Sequence, residues 1–511
     1  MVSFGREEIK KYRSFIDEDT AAITVYFLLA GSALILLLLA LFNFGRFLMA
    51  RQQAATALEA SAASVLSHYQ TDLVREMGLF ALDTRDAAGL QAAGKTYFTA
   101  NLGEPGAINS QKCLIYALSF PEESRLNQEE ILTIQAVDSQ RIEGWFKAGQ
   151  DILNFLGLTD WQSLLKSWLS SGTGEEALDH SGLEDWADWH EDENGQATGT
   201  EQEGGGSAAV RLWHFFLPWP IHSGFANVEL PEGIGNQAGS NEQRKKQLEE
   251  LAAFGQGFSS LFGSKIDDEA NQTAELPPGA LEKIKIFLAG FQDSLSGVLA
   301  KGKDKLLFTE YLLQELDYAT NKPAMERYFS RCEAEYVLWG YGNSWDNLRY
   351  TALQLFLLRS GFHLLASVIN MEAVDEVTLA KEALQALVKG GLDVEKLFNG
   401  ERIPAFPGQT KLTMSYKDHL RLFLICQKGT SQKQALQRLI QANLWFWQAR
   451  NTSGSGQGLT GQMRAAEFGL SRYAAEVRVI AETKLSLWPF GATLIRREGV
   501  MGYDRPFALV S

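Results

Sequence analysis

The stretch Ile23–Phe42, ITVYFLLAGSALILLLLALF, decides the architecture of this 511-residue chain. It lies in a run of 26 positions, Thr20 to Gly45, without one charged side chain. A hydrocarbon core of about 30 Å takes about 20 apolar residues in a helix, so the run is long enough to span a membrane and tilt. Ile23, Val25, Phe27, Leu28, Leu34, Leu36, Leu38 and Leu41 would be its lipid-facing anchor residues. A cleaved secretory signal is the rival reading, because Ala60-Ser61-Ala62 offers a small-residue cleavage site. Signal apolar regions run only about 7–15 residues, whereas this one is longer and is followed by Arg46 and Arg51, so an uncleaved anchor is expected.

Basic residues near the two ends set the expected orientation. Arg6, Lys10, Lys11 and Arg13 precede the span, against Arg46 and Arg51 just after it. The bias places the N-terminus in the cytoplasm of a single-pass cell-membrane protein and the bulk of the chain outside. TALQLFLL at 351–358 is the best second candidate, but Arg349, Arg359 and His363 bracket it, as in a buried helix of a water-exposed domain.

Composition narrows the chemistry. Cys113, Cys332 and Cys426 are scattered without CxxC spacing, so neither a zinc site nor a disulfide framework is indicated. Eleven of the fifteen net negative charges fall between Ser167 and Val210, where no Lys or Arg occurs. No basic face is available to displace phosphate counterions, so nucleic acid is not an expected partner. The acidic block reads as a solvated loop.

Beyond the apolar run, small and apolar residues recur at three- and four-residue steps: Ala50, Ala54, Ala57, Ser61 and Val65, continuing to Tyr69 and Leu73. One rod from Ala22 to Met77 would measure roughly 80 Å. Its stripe either accepts another helix, giving a helix-mediated oligomer, or packs on the chain's own globular part. Cys113–Phe120 reads as a strand, as does Arg472–Leu487, where Tyr473, Ala475, Val477 and Val479 alternate with a more polar set. Thr493–Tyr503 would return as its antiparallel partner. Tyr328–Trp339 also reads as a strand, whereas 128–145, 241–262, 279–300, 305–318, 346–370, 373–389, 417–427 and 432–449 read as helices, with Gly390-Gly391 as a stop.

The expected organisation is a cytoplasmic leader over 1–19, a transmembrane helix over 20–45 and a stalk helix over 46–80. An α+β domain follows in two parts, 81–149 and 304–511, separated by an insertion over 150–303 of acidic, Gly-rich linker and helices. The fold class is thus α+β, a large extracytoplasmic domain carried on one N-terminal transmembrane helix.

Two stretches carry a resemblance. DEDTAAITVYFLLAGSALILLLLALFNFGRFLMARQQAATALEASAASVL resembles the N-terminus of TadE/TadG-like minor pilins and pseudopilins, in which a short charged leader meets an apolar helix that continues as a stalk. AAITVYFL, ALEASAASVLSHYQTDLVREMGLFALD, EAEYVLWGYGNSWDNL and LTMSYKDHLRLFL together resemble an uncharacterised group of Gram-positive membrane-anchored proteins commonly encoded with Tad/Flp-type pilus or secretion systems. The resemblance implies pilus or secretion proteins as partners beside membrane lipid, and it brings no biochemical activity. One departure matters: Ala21 stands where the pilin-type processing site has Gly, and Tyr26 where it has Glu. Leader cleavage and polymerisation as a major pilin are therefore not expected.

The site candidates are sparse. The seven histidines form no HExxH, no GxxxxGK[ST] loop occurs, and no cofactor is indicated. His190, Asp192, Asn194, Gln196 and Glu201 fall at positions 1, 3, 5, 7 and 12 of a calcium loop, with Gly195 at the turn. Histidine replaces the usual Asp at position 1 and no exiting helix follows, so a solvated acidic loop competes with a metal site. Trp213, Phe215, Phe216 and Trp219 form an aromatic cluster, either a partner surface or a patch buried on its own domain. Glu333 and Glu335 would share one side of the strand over 328–339, a spacing that pairs carboxylates for acid/base work, or else a solvated face. The leading expectation is a non-enzymatic, membrane-anchored accessory pseudopilin or structural part of a Tad-like apparatus. The alternative is a membrane-tethered cell-wall hydrolase or carbohydrate-binding surface protein.

Overall fold

The computed structural model describes residues 6–102, 111–140, 280–299, 303–321, 327–329, 331–369, 376–408, 413–427, 429–453, 469–503 and 506–510. The chain forms two compact units, one of Met1–Gln70, Ala81–Arg125 and Tyr473–Ser511, the other of Thr71–Phe80 and Leu126–Arg472. The four-stranded sheet lies in the first unit, and the described elements of the second are helices apart from one short strand pair, Ile403–Pro404 with Thr413–Met414.

In the first unit, helix α1 (Arg6–Leu66) is a single element of 61 residues. From Ile23 to Met49 its large apolar side chains are exposed, and Ala22–Leu66 is long and apolar enough to cross a membrane. The helix then turns its small-residue stripe inward. Ala50, Ala54, Ala57, Leu58, Ser61, Ala62 and Val65 are almost fully buried, in one core with Leu90 and Phe98 of helix α2 (Ala87–Asn101) and with the sheet. That sheet is antiparallel, in the order β1 (Gln111–Ser119), β2 (Glu476–Leu487), β3 (Gly491–Gly502) and β4 (Ala508–Leu509). Val477, Val479, Ala481 and Leu485, alternate residues of β2, face α1, as a period of two requires.

Small residues on the stripe let the backbones come close, and Ser61 uses the closeness. Its Oγ donates to the Gly94 carbonyl at 2.8 Å, which leaves it to accept from the Tyr116 hydroxyl at 2.6 Å. A Cβ at Gly94 would lie 2.2 Å from that hydroxyl. Ala57→Leu should accordingly overpack this core and lower stability by about 1–3 kcal/mol. Glu59→Leu, at an exposed position on the same helix, should change it by less than about 0.5 kcal/mol. Denaturant melts of the full chain in detergent check this; equal midpoints for the two variants would mean that the stripe is not self-packed.

The expected rod is too long at its C-terminal end. α1 stops at Leu66, whose carbonyl accepts from the Tyr503 hydroxyl, and His68 N–H closes the last turn on Val65 at 3.1 Å. Tyr69 then bridges to Leu82, and Gln70 N–H bonds the Ala81 carbonyl, so the backbone leaves helix for sheet. Thr71–Met77 is a separate short helix of the second unit, ended by Gly78 at φ +61°.

The second unit is helical. Its elements are α3 (Glu129–Gln140), α4 (Ala280–Leu299), α5 (Lys303–Glu315), α6 (Glu333–Trp339), α7 (Ser344–Ile369), α8 (Glu376–Phe398), α9 (Tyr416–Cys426) and α10 (Gly429–Ser453). Phe287, Phe291, Tyr311, Phe329, Tyr336, Trp339 and Phe356 fill the interior. α7 is long and apolar enough to span a membrane, but 78% of its most apolar window is buried in this unit, so it is the core helix expected from its flanking charges.

Two local readings are corrected here. Tyr328–Trp339 is not a strand: residues 328–329 form a turn and 333–339 a helix, closed by Gly340 at φ +73°. Gly390-Gly391 does not stop a helix, since α8 runs on to Phe398. A Cβ at Gly390 would meet Ser360 Oγ at 2.2 Å and Ser360 N at 2.7 Å, so glycine there serves the close approach of α7 and α8.

Candidate functional site

Several charged residues of the helical unit are buried, and the densest group of them surrounds α6. Every residue from Glu333 to Trp339 is buried, which brings both carboxylates of EAEYVLW into the interior. Successive helical residues are turned by about 100°, so positions two apart point to nearly opposite sides. Glu333 and Glu335 therefore do not share a face, and neither lies on a solvated surface.

Glu333 is held by three donors. Its Oε2 accepts from Arg327 Nη1 at 2.7 Å and from Asp317 N–H at 3.1 Å, and its Oε1 accepts from Asn443 Nδ2 at 2.6 Å. Arg327 also donates to the Glu76 carbonyl at 2.7 Å and to the Glu315 carbonyl. Tyr311 ties its hydroxyl to the Met77 carbonyl at 2.7 Å. The Asp317 carbonyl caps the start of α6, accepting from Glu333 and Ala334 N–H at 3.0 Å each. Segments around residues 76, 317, 327, 333 and 443 are thus fastened at one point.

Glu335 has a different setting. Its Oε1 accepts from the Tyr416 hydroxyl at 2.7 Å and from Ala319 N–H at 2.9 Å. Burial pushes its carboxyl up to about 7, against the opposing pull of those two hydrogen bonds. Asp317 is raised to about 6 by burial, with Glu333 nearby adding to the effect. Burial likewise lifts the Cys332 thiol and the Tyr416 hydroxyl well above their ordinary ranges, so neither is poised as a nucleophile or base.

Two further clusters repeat the pattern. Arg359 grips Asp393 through Nε at 2.9 Å and Nη2 at 2.7 Å, and His363 Nε2 meets the same oxygen at 2.9 Å. Burial would raise Asp393, but these two partners outweigh it and hold the carboxyl below its usual value. Arg421 binds Glu310 and, at 2.5 Å, Asp418, which closes a capping box with Ser415 at the start of α9. Burial pushes the neighbouring His419 down to about 4, so it is neutral at physiological pH.

Glu333, Glu310, Asp393 and Asp418 accept from protein donors at the junctions of helices, a geometry that fastens loops to a helical core, whereas Glu335 Oε2 and Asp317 Oδ2 are buried without a hydrogen-bond donor. Among the described residues no three His, Cys, Asp or Glu side chains are placed to hold a metal ion.

The remaining candidates divide in three. Ile23, Val25, Phe27, Leu28, Leu34, Leu36, Leu38 and Leu41 are exposed along α1, as an anchor would be before lipid is added. Ala50, Ala54, Ala57, Ser61 and Val65 are covered by the chain's own α2 and sheet. The calcium-loop residues His190, Asp192, Asn194, Gln196 and Glu201, and the aromatics Trp213, Phe215, Phe216 and Trp219, lie outside the described residues. Sequence reasoning passed over Arg327, Asp317, Asn443 and Tyr416, which carry no local motif.

Comparisons with known proteins cover the middle of the chain. A family model described as a family of unknown function (DUF5702) matches residues 263–389, a stretch that runs from before α4 into α8 and includes Asp317, Arg327, Glu333 and Glu335. No curated protein and no solved structure matches this chain.

Proposed function

We propose that this chain is a non-enzymatic, membrane-anchored structural component that binds protein partners, of the kind an accessory pseudopilin supplies to a Tad-like pilus or secretion apparatus. One observation carries the anchoring part: a single helix runs unbroken from an exposed apolar stretch into the core of a sheet-bearing unit. A signal peptide removed after Ala60-Ser61-Ala62 would take most of that helix with it. Ser61 and Ala62 are fully buried in the core, so such a cut would leave the sheet without its principal cover. Retention of α1 is the consistent reading, and the basic residues before the span put the N-terminus in the cytoplasm.

The pilus or secretion setting rests on the resemblance of the N-terminal half of α1 and its continuation to TadE/TadG-like proteins. The hydrolase alternative drew on a carboxylate pair, and Glu333 and Glu335 are instead buried and bonded to the chain itself.

The test is co-purification of the tagged full chain from membranes in mild detergent after brief cross-linking. Pilus or secretion components should be recovered with it, at a mass that retains the N-terminal residues. Recovery of the chain alone would remove the assembly reading, and a product beginning near residue 63 would remove the anchor.

A further inference from the structure

The β2–β3 hairpin ends in an exposed apolar tip that nothing in the helix-anchored reading requires. Trp488 is 76% exposed, Phe490 57% and Leu494 57%, whereas Val479, Leu485 and Ile495 on the strands of the same hairpin are buried. The tip is tied to α1 at one level. Asn43 Nδ2 donates to the Trp488 carbonyl at 2.9 Å, and Arg46 Nη2 donates to the Ser486 carbonyl at 3.1 Å. Asn43 is only 4% exposed, although Phe42 and Phe44 beside it are open.

That level coincides with the end of the apolar run. Ala22 to Phe42 would measure about 31 Å along a helix, close to the roughly 30 Å of a hydrocarbon core. Asn43 and Arg46 then stand at the outer boundary of the lipid, and the hairpin tip stands with them. Tryptophan and other aromatic side chains favour this layer, where an apolar ring meets hydrated headgroups.

Charge agrees with the same placement. β2 and β3 pair Lys484 with Leu494, Glu482 with Arg496 and Ala481 with Arg497, and β1 pairs Lys112 with Lys484. Lys112, Lys484, Arg496 and Arg497, with Arg46 and Arg51, outnumber the one carboxylate, Glu482, that these pairings bring in. The segments 40–58, 111–119 and 484–497 contain no Asp or Glu. A basic collar of this kind attracts anionic headgroups, each cation being worth about 1 kcal/mol near a charged surface.

We propose that the hairpin tip at Trp488, Phe490 and Leu494 is a second membrane contact, seated in the interfacial layer of a phospholipid bilayer beside α1, with Arg46, Lys484 and Arg496 meeting anionic headgroups. The tip and the helix together fix the sheet-bearing unit against the membrane at two points. This rests on the reading of α1 as a span, and the test separates the two.

The full chain carrying Cys113→Ser is reconstituted as single copies in nanodiscs of phosphatidylcholine and phosphatidylglycerol. Cys332 and Cys426 are buried and stay unlabelled. A nitroxide is placed in turn at Leu36→Cys, Phe490→Cys and Ala508→Cys, and its collisions with oxygen and with a water-soluble nickel chelate are measured. Positions 36 and 490 should both show an oxygen-to-nickel ratio several-fold above that at the exposed position 508. A label at 490 that matches 508 while 36 reads as lipid overturns the second contact and leaves the anchor standing. A label at 490 shielded from both colliders also overturns it, since protein and not lipid then covers the tip. Water-like ratios at all three positions overturn the anchor and the contact together.

Discussion

Arg327→Met is expected to destabilise the helical unit by about 3–5 kcal/mol, the usual effect of removing one partner from a buried ion pair. Glu333 is fully buried and would keep its amide donors from Asp317 and Asn443 while losing the guanidinium that neutralises it. The Glu76 and Glu315 carbonyls would lose a donor in the same step. An unpaired buried acceptor costs about 1–3 kcal/mol, so the loss does not rest on charge alone. The helical unit is larger than a domain of about 150–250 residues, in which each kcal/mol moves the midpoint by roughly 2–4 °C, so a drop of about 5 °C is expected in thermal melts of the full chain in detergent. Adding Glu333→Gln should recover part of the loss, because the charge left behind is then removed. A single variant that melts with the parent would mean that the pair contributes nothing and that the fasteners are incidental.

Glu335→Gln should do the opposite, and only at neutral to alkaline pH. In the folded chain burial holds the carboxyl up to about 7, whereas an unfolded Glu titrates near its ordinary value of about 4.5. Between those values the native state binds more protons, so stability falls as pH rises through the window and stays lowered above it. The difference corresponds to about 3 kcal/mol by pH 8. Gln mimics the neutral acid and accepts the same hydrogen bonds from Tyr416 and Ala319. The variant should therefore match the parent near pH 4.5 and exceed it by about 3 kcal/mol at pH 8, read from denaturant midpoints at each pH. His419, pushed down to about 4, acts with the reverse sign in both proteins and drops out of the difference. A constant offset across the range would show that Glu335 is ionised throughout.

What could be read from the chain itself follows a physical division. The apolar run announced its helix because lipid or core leaves no room for charge, and Tyr473 to Val479 announced a strand because apolar residues alternate there with a more polar set, although Ala474 and Glu476 of that set are buried as well. Where every side chain is buried, periodicity disappears as a signal. EAEYVLW has no polar face, so its aromatic and β-branched content suggested a strand, although Gly340 was there as a helix stop. Gly390-Gly391 misled for the converse reason: glycine ends helices, but it also lets two of them touch, and only the neighbour Ser360 distinguishes the cases. Arg327 and Glu333 are neighbours in the chain, but Glu76 and Asn443, which meet them, come from segments more than 100 residues away. No spacing rule can join residues whose proximity is itself the product of the fold. The stripe Ala50–Val65 was visible as a surface for close packing, but which surface meets it depends on strands more than 400 residues away.

The unbroken course of α1 also fixes a direction. Its lipid-facing residues and its buried stripe share one helical register, and the helix contains no proline between Arg6 and Leu66. Deleting one residue between Arg46 and Ala50 would turn the sheet by about 100° around the helix axis and draw it about 1.5 Å toward the bilayer. Asn43 would then miss the Trp488 carbonyl. With α1 read as the proposed span, the heading of the sheet about the helix axis is thus set by a residue count, and length variants in that short interval act as compass settings for it.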